Sequence, residues 1–275
     1  MDILQKMRWI ICFLKRLLKR DNMRYLYKYT PHNAEYKYDI ITKSQLWFSK
    51  VENFNDPIDS QLDYSQQYTS DEILQYWKNF LKNKPNHQQS IDEILQKWGE
   101  NSSFIEQQNR VYLQQKSQMG VLCFSVNPKN ILMWSHYANN HKGIVYEFKA
   151  NLFTHAKTTS FQAFPFKIEY PCSKGYQLLS YTKTGEERNK QFVKELTIKS
   201  PEWAYEEEYR MIDLENSGNK KFNHTSLNSI IFGARTSIDE IDAIKCLCKR
   251  HGLNHIKFKK AKFIEGRFEL EFIDI

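Results

Sequence analysis

The chain has 275 residues, with glycine (9) and proline (7) too sparse for a collagenous or low-complexity protein and aromatics at 15%, which indicates an ordered, packed core. Lysine and arginine (40) outnumber aspartate and glutamate (32), and the resulting charge of +8 favours anionic partners without dictating a fold. Five cysteines (Cys12, Cys123, Cys172, Cys246, Cys248) form an odd, scattered set that reads as reduced thiols of a cytoplasmic protein, not as a disulfide framework.

The first twenty residues, "MDILQKMRWIICFLKRLLKR", put Ile3, Leu4, Met7, Ile11, Leu14 and Leu18 on one helical stripe ringed by lysine and arginine. The unbroken apolar run Trp9 to Leu14 is far shorter than the roughly 20 residues needed to span a bilayer. Residues 1–22 are therefore expected to form a basic amphipathic helix that contacts the protein's own domain, a partner or an anionic membrane surface; alternatively, translation starts at Met23. From 23 to 275 the pattern predicts a single domain.

Strands are expected at "RYLYKYT" (24–30) and "LWFSK" (46–50), separated by a helix after Pro31 with Ala34, Tyr38 and Ile41 on one face. The glutamine-rich stretch of about 66–118 predicts a helical insertion with helices near 70–83, 90–99 and 102–118, the first two opened by capping boxes Thr69/Glu72 and Ser90/Glu93. "VLCFSV" returns to strand character, "NPKNILMWSHYANNHKG" reads as turn, short helix and glycine stop, and "IVYEF" and "FPFKIEY" as strands. A helix over 185–199, a strand "EEYRMIDL", a turn "NSGN", a strand "SIIFGA", a helix from Ser237 to Gly252, and strands "HIKFKKA" and "RFELEFI" complete the chain. Strands without regular β-α-β alternation predict α+β, with a mostly antiparallel, split sheet and flanking helices.

Two carboxylates and an arginine stand out in "SPEWAYEEEYRMID". If residues 206–212 are a strand, Glu206, Glu208 and Arg210 share one face, where a like-charge pair separates the two carboxyl pKa values and suits acid–base work. The competing reading is an edge strand whose charges discourage sheet pairing. His136 and His141 are five apart, off the zinc-helix spacing, so no metal is expected there; His136 beside Trp134 and Tyr137 either lines a pocket for a flat ring or caps the helix. Asp56 and Asp59 in "FNDPID" make a tight turn by themselves, and with Glu206 and Glu208 they also supply enough acids for a metal-dependent nuclease.

The blocks "LYKYTPHNAEY", "LWFSKVENFNDPID", "VLCFSVNPKNILMWSHYANNHKGIVYEF", "EWAYEEEYRMI" and "SIIFGA", in that order over about residues 25–245, resemble the bacterial domain-of-unknown-function family numbered 2971. The tyrosine-rich first strand, the strand ending in serine and the late Glu-x-Glu strand also resemble ADP-ribosyltransferase-like folds. That second resemblance implies an NAD-using enzyme in a toxin or phage-defence setting, acting on a nucleic acid or nucleotide-bearing target. It implies Glu208 as the catalytic carboxylate with Glu206 as its partner, and Ser49 with Lys28 or Tyr27 as cofactor contacts. His136 has no counterpart in that pattern; Arg210 beside the glutamates, and Trp134 and His136 at the cofactor, come from the strand-face and ring-pocket readings above. The sequence departs from the pattern in having lysine on the first strand and no Ser-Thr-Ser triplet after "LWF". The alternative to an enzyme is a ligand- or partner-binding module without catalysis.

Overall fold

The computed structural model describes residues 24–34, 36–82, 91, 93, 94, 96, 101–153, 165–172, 178–183, 185–213 and 216–275. The basic stretch 1–22 and most of the helix expected over 90–99, with Ser90 of its capping box, lie outside them. Ten strands and six helices are described, and the α+β class is as expected. The strands are β1 (Tyr25–Thr30), β2 (Gln45–Phe48), β3 (Gly120–Ser125), β4 (Ile144–Lys149), β5 (Phe166–Lys167), β6 (Glu208–Asp213), β7 (Gly218–Lys221), β8 (Leu227–Phe232), β9 (Lys257–Phe263) and β10 (Leu270–Asp274). The helices are α1 (Lys37–Thr42), α2 (Ser70–Leu81), α3 (Asn101–Lys116), α4 (Ile131–Tyr137), α5 (Gly185–Thr197) and α6 (Ile238–Arg250).

Eight strands form one sheet in the order β10-β9-β8-β4-β1-β3-β6-β5, and β2 pairs with β7 as a separate ribbon. All pairings are antiparallel except β8–β9, which are joined through α6. The sheet has a seam at its centre. Whereas β1 and β4 pair over six positions, β1 and β3 share the single register pair Tyr27↔Ser125.

One sheet face carries Leu26, Leu122, Phe124, Tyr146, Phe148, Tyr209, Met211 and Ile230, covered by Ile40 and Ile41 of α1, Leu46 and Phe48 of β2, and Ile241, Ile244 and Cys248 of α6. The other face is covered in two patches. α4 lays Met133 and Trp134 over Tyr29, Val145, Ile231 and Ala261, and Leu196 at the end of α5 packs with Val121 and Ile212. The insertion has its own small core of Ile73, Tyr76, Trp77, Phe104 and Ile105, and α2 opens with the expected Thr69/Glu72 capping box. Among the described residues no helix is long and apolar enough to cross a membrane.

Three local expectations change. α1 begins only at Lys37, after two turns closed by Ala34 N–H to Pro31 O and Lys37 N–H to Ala34 O, so it buries Lys37, Ile40 and Ile41 and leaves Tyr38 outside. "NSGN" is not wholly a turn: Gly218 and Asn219 begin β7, a strand of exposed and half-buried residues that exists because β2 pairs with it. The strand expected through "FPFKIEY" is reduced to Phe166–Lys167 at the sheet edge. After α4 the chain returns through Asn139, Asn140 and His141, all with positive φ, and packs so closely that a Cβ on Gly233 would lie 2.1 Å from the His141 carbonyl oxygen.

Candidate functional site

Glu206 and Glu208 both project inward and meet, but not on one strand. β6 starts at Glu208; Glu206 ends a 3-10 turn over Pro201–Glu206, and Glu207 between them takes a left-handed backbone (φ +45°) that redirects the chain. Five charged side chains converge here, all nearly inaccessible to water: Asp59, Lys199, Glu206, Glu208 and Arg210.

Arg210 forms the hub. Its Nε and Nη2 donate to the two Glu208 oxygens at 2.7 and 3.0 Å, and its Nη1 and Nη2 donate to the two Asp59 oxygens at 2.8 and 2.5 Å. Nη1 also donates to Ser60 Oγ and to the Leu196 carbonyl, so every guanidinium N–H is used. Lys199 Nζ sits among three carboxylates, 2.5 Å from Glu206, 3.2 Å from Glu208 and 3.4 Å from Asp59. Glu206 gives its second oxygen to the Tyr137 hydroxyl at 2.5 Å, and Asn55 donates to that hydroxyl at 3.2 Å.

The two glutamates titrate in opposite directions. Burial alone would raise the Glu208 carboxyl, but Arg210 and Lys199 outweigh it and hold the pKa at about 2. Burial pushes Glu206 up, the neighbouring Glu208 charge adds to that, and Lys199 with the Tyr137 hydroxyl offsets only part. Burial tends to lower Lys199, yet the three carboxylates raise it above its ordinary value. With all five groups ionised the set carries one net negative charge, and Glu206 is the member that can take up a proton.

This arrangement saturates the groups expected to do chemistry. An ionised Glu208 accepts from Arg210 on both oxygens and from Lys199 on one, so neither oxygen is left bare in this buried site. The place where three carboxylates converge is filled by the Lys199 ammonium, and Asp56 stays outside, its Oδ1 accepting the Ile58 N–H in the turn. Among the described residues no group of three or more histidine, cysteine, aspartate or glutamate side chains is placed to hold a metal ion.

The other expected contacts scatter. Ladder register carries Glu208 across to Ser125 and on to Tyr27, so these three share a face and Lys28 falls on the opposite one. Trp134 is fully buried, its Nε1 donating to Pro128 O at 2.7 Å and its ring edge-on to Tyr29; it is core. His136 is exposed beside Tyr205, and the next residue, Tyr137, is the one that reaches a carboxylate. One helical residue is a rotation of about 100°, which separates the two side chains.

Lys28 and Ser49 do come together, in a small pocket of about 80 Å³ with Tyr36, Asp39, Gln45, Trp47 and Asn219. It lies beside the seam: Lys28 donates to the Cys123 carbonyl at 3.2 Å across the splayed β1 and β3. Tyr36 and Trp47 stand 41% and 47% exposed at this pocket, against 0% for Trp134. Sequence reading missed Tyr36, Trp47, Lys199 and Tyr137 as site residues; the only available signal was the period-2 alternation of β2, which turns Trp47 away from buried Leu46 and Phe48.

Comparison with known proteins agrees with the first resemblance over part of the chain. Residues 133–211, from α4 to the middle of β6, match the model of a family described as Protein of unknown function (DUF2971). The match holds Tyr137, Lys199, Glu206, Glu208 and Arg210 and leaves Lys28, Ser49 and Trp47 outside it. No curated protein and no solved structure matches the chain.

Proposed function

We propose that the protein is a ligand-binding module whose pocket, between β1, α1, β2 and β7, takes a flat aromatic ring. The observation that carries this reading is the grouping of two exposed aromatic side chains, Tyr36 and Trp47, with the Lys28 ammonium and the amides of Gln45 and Asn219 around one hollow. Such a set stacks on a ring and hydrogen-bonds its edge, while the lysine favours an attached anion. A volume of about 80 Å³ is smaller than the roughly 150 Å³ cavity that encloses benzene, so the ring would lie against Tyr36 and Trp47 at the pocket's mouth and only its edge would enter.

NAD is the first ligand to try, because the ADP-ribosyltransferase-like resemblance points to Lys28 and Ser49 and both open onto this pocket. The residues fit the ring-binding half of that reading and not its chemistry. Glu208 lies on the opposite sheet face, ionised and fully engaged by Arg210, so no glycosidic step is derived through it. Calorimetric titration of the full chain with NAD, AMP and nicotinamide tests the module. Binding lost in Trp47→Ala and retained in Glu206→Gln, without nicotinamide release, is expected. Release of nicotinamide abolished by Glu208→Gln would restore the transferase, and indifference of all three ligands to Trp47→Ala would sink the pocket.

A further inference from the structure

The ribbon beside the pocket presents a second, wider surface. In β2 and β7 the inward residues Leu46 and Phe48 are buried, so Gln45 and Trp47 point outward, and register sets Lys221 opposite Gln45 and Asn219 opposite Trp47. The outward face thus reads amide–ammonium in one row and indole–amide in the next. Around it, among the described residues Lys28, Asp39, Lys43 and Lys221, the cations exceed the anions. Lys28 and Asp39 line the pocket, Lys43 engages Asp39 at 3.0 Å, and Lys221, opposite Gln45, makes no ion pair among the described residues.

A flat exposed indole, a second exposed ring at Tyr36, side-chain amides and two surplus positive charges suit a polyanion with accessible ring faces. Duplexes hide those faces in the stack, whereas unpaired bases offer them. We propose that this ribbon binds single-stranded nucleic acid, one base setting its edge into the mouth of the pocket and a neighbouring base stacking on Trp47 while Lys221 and Lys28 meet the phosphates. The inference rests on the ring-binding pocket of the preceding reading and adds the partner that brings the ring.

Fluorescence anisotropy with labelled eight-nucleotide oligo(dA), oligo(dT) and oligo(U), a matching duplex, and free AMP separates the two claims. Single strands are expected to bind more tightly than AMP and than the duplex, and the logarithm of affinity to fall with the logarithm of salt with a slope of about −1.4, for two phosphates neutralised. Trp47→Ala is expected to weaken both oligonucleotide and AMP binding by at least about fivefold. Lys221→Ala, at an exposed position outside the pocket, is expected to weaken oligonucleotides alone. AMP binding that equals oligonucleotide binding and ignores Lys221 would overturn the nucleic-acid surface and leave the pocket. Oligonucleotide binding unaffected by both substitutions would place the contact elsewhere on this basic chain and overturn the proposal, and no binding of any probe by the folded protein would remove both claims.

Discussion

Tyr27 and Lys28 are adjacent in sequence, yet they belong to two regions built on opposite principles. On Tyr27's side of the sheet, five charged groups are packed dry and satisfy one another completely, with Arg210 only 1% exposed. On Lys28's side, polar and aromatic groups line a hollow at the surface, with Tyr36 and Trp47 standing half in water. Charge density alone would have nominated the first region as the site. A buried ion network with no spare valence ties elements together, and recognition belongs to groups with unfilled capacity at a surface.

The strongest way to break this contrast is to cut the network at its hub. Arg210→Ala takes the guanidinium from buried Asp59 and Glu208, leaving them to share Lys199 with Glu206 at 3.4 and 3.2 Å, and is expected to destabilise the fold by about 3–5 kcal/mol in urea denaturation. Arg210→Lys should recover little of it, because an ammonium cannot grip two carboxylates bidentately. An Arg210→Ala protein of wild-type stability would mean that the cluster is not structural.

Acid titration sharpens the contrast within the cluster. Glu208, at about 2 in the fold against an ordinary 4.5, stabilises the native state above pH 4.5, and that contribution of about 3 kcal/mol fades as pH falls from 4.5 towards 2. Glu206 carries the opposite sign. Its pKa is raised above 4.5, so the native state takes up that proton first and regains stability as pH falls through the raised value to 4.5. Relative to wild type, Glu206→Gln should therefore be most favourable at neutral pH and lose that advantage on acidification towards 4.5. A pH-independent difference in urea midpoints would contradict the assignment.

A second buried network should respond more mildly. Lys116 Nζ donates to Glu195 and to the Tyr112 hydroxyl, both at 2.9 Å, and to the Ser60 carbonyl; Glu195 is fully buried. Glu195→Gln keeps the shape and removes the charge, and a loss of about 1–3 kcal/mol is expected. Smallest of all is the effect at the pocket: Trp47→Ala should stay within about 0.5 kcal/mol of wild type while losing ring binding. Stability and binding would then separate cleanly along the two faces.

The sequence made most of this fold legible where a segment's own pattern decides its conformation. β1, β3, β4 and α6 fall within two or three residues of their expected bounds, because alternating or helical apolar patterns coincide with buried faces. β7 was invisible because "GNKK" has no strand propensity and depends on β2 for its existence. Of the cluster, Glu206, Glu208 and Arg210 were singled out on the premise of one continuous strand, and the left-handed Glu207 breaks that premise. The sequence groups Asp59 with the glutamates only as one of the acids for a metal, whereas the fold sets it on Arg210 and Lys199, and no local pattern marks a lysine as the filling of a three-carboxylate nest.

Ser60 is where the two buried networks touch. Its own φ is +58°, its hydroxyl accepts from Arg210 and donates to Asp59, and its carbonyl accepts from Lys116 at the end of α3. One left-handed residue therefore rivets the helical insertion to the central sheet. Excising or loosening those helices would strip a charged lysine from its acceptor and disturb the arginine's lodging two bonds away, so the appendage and the sheet should melt as one cooperative unit and share their slowest amide exchange.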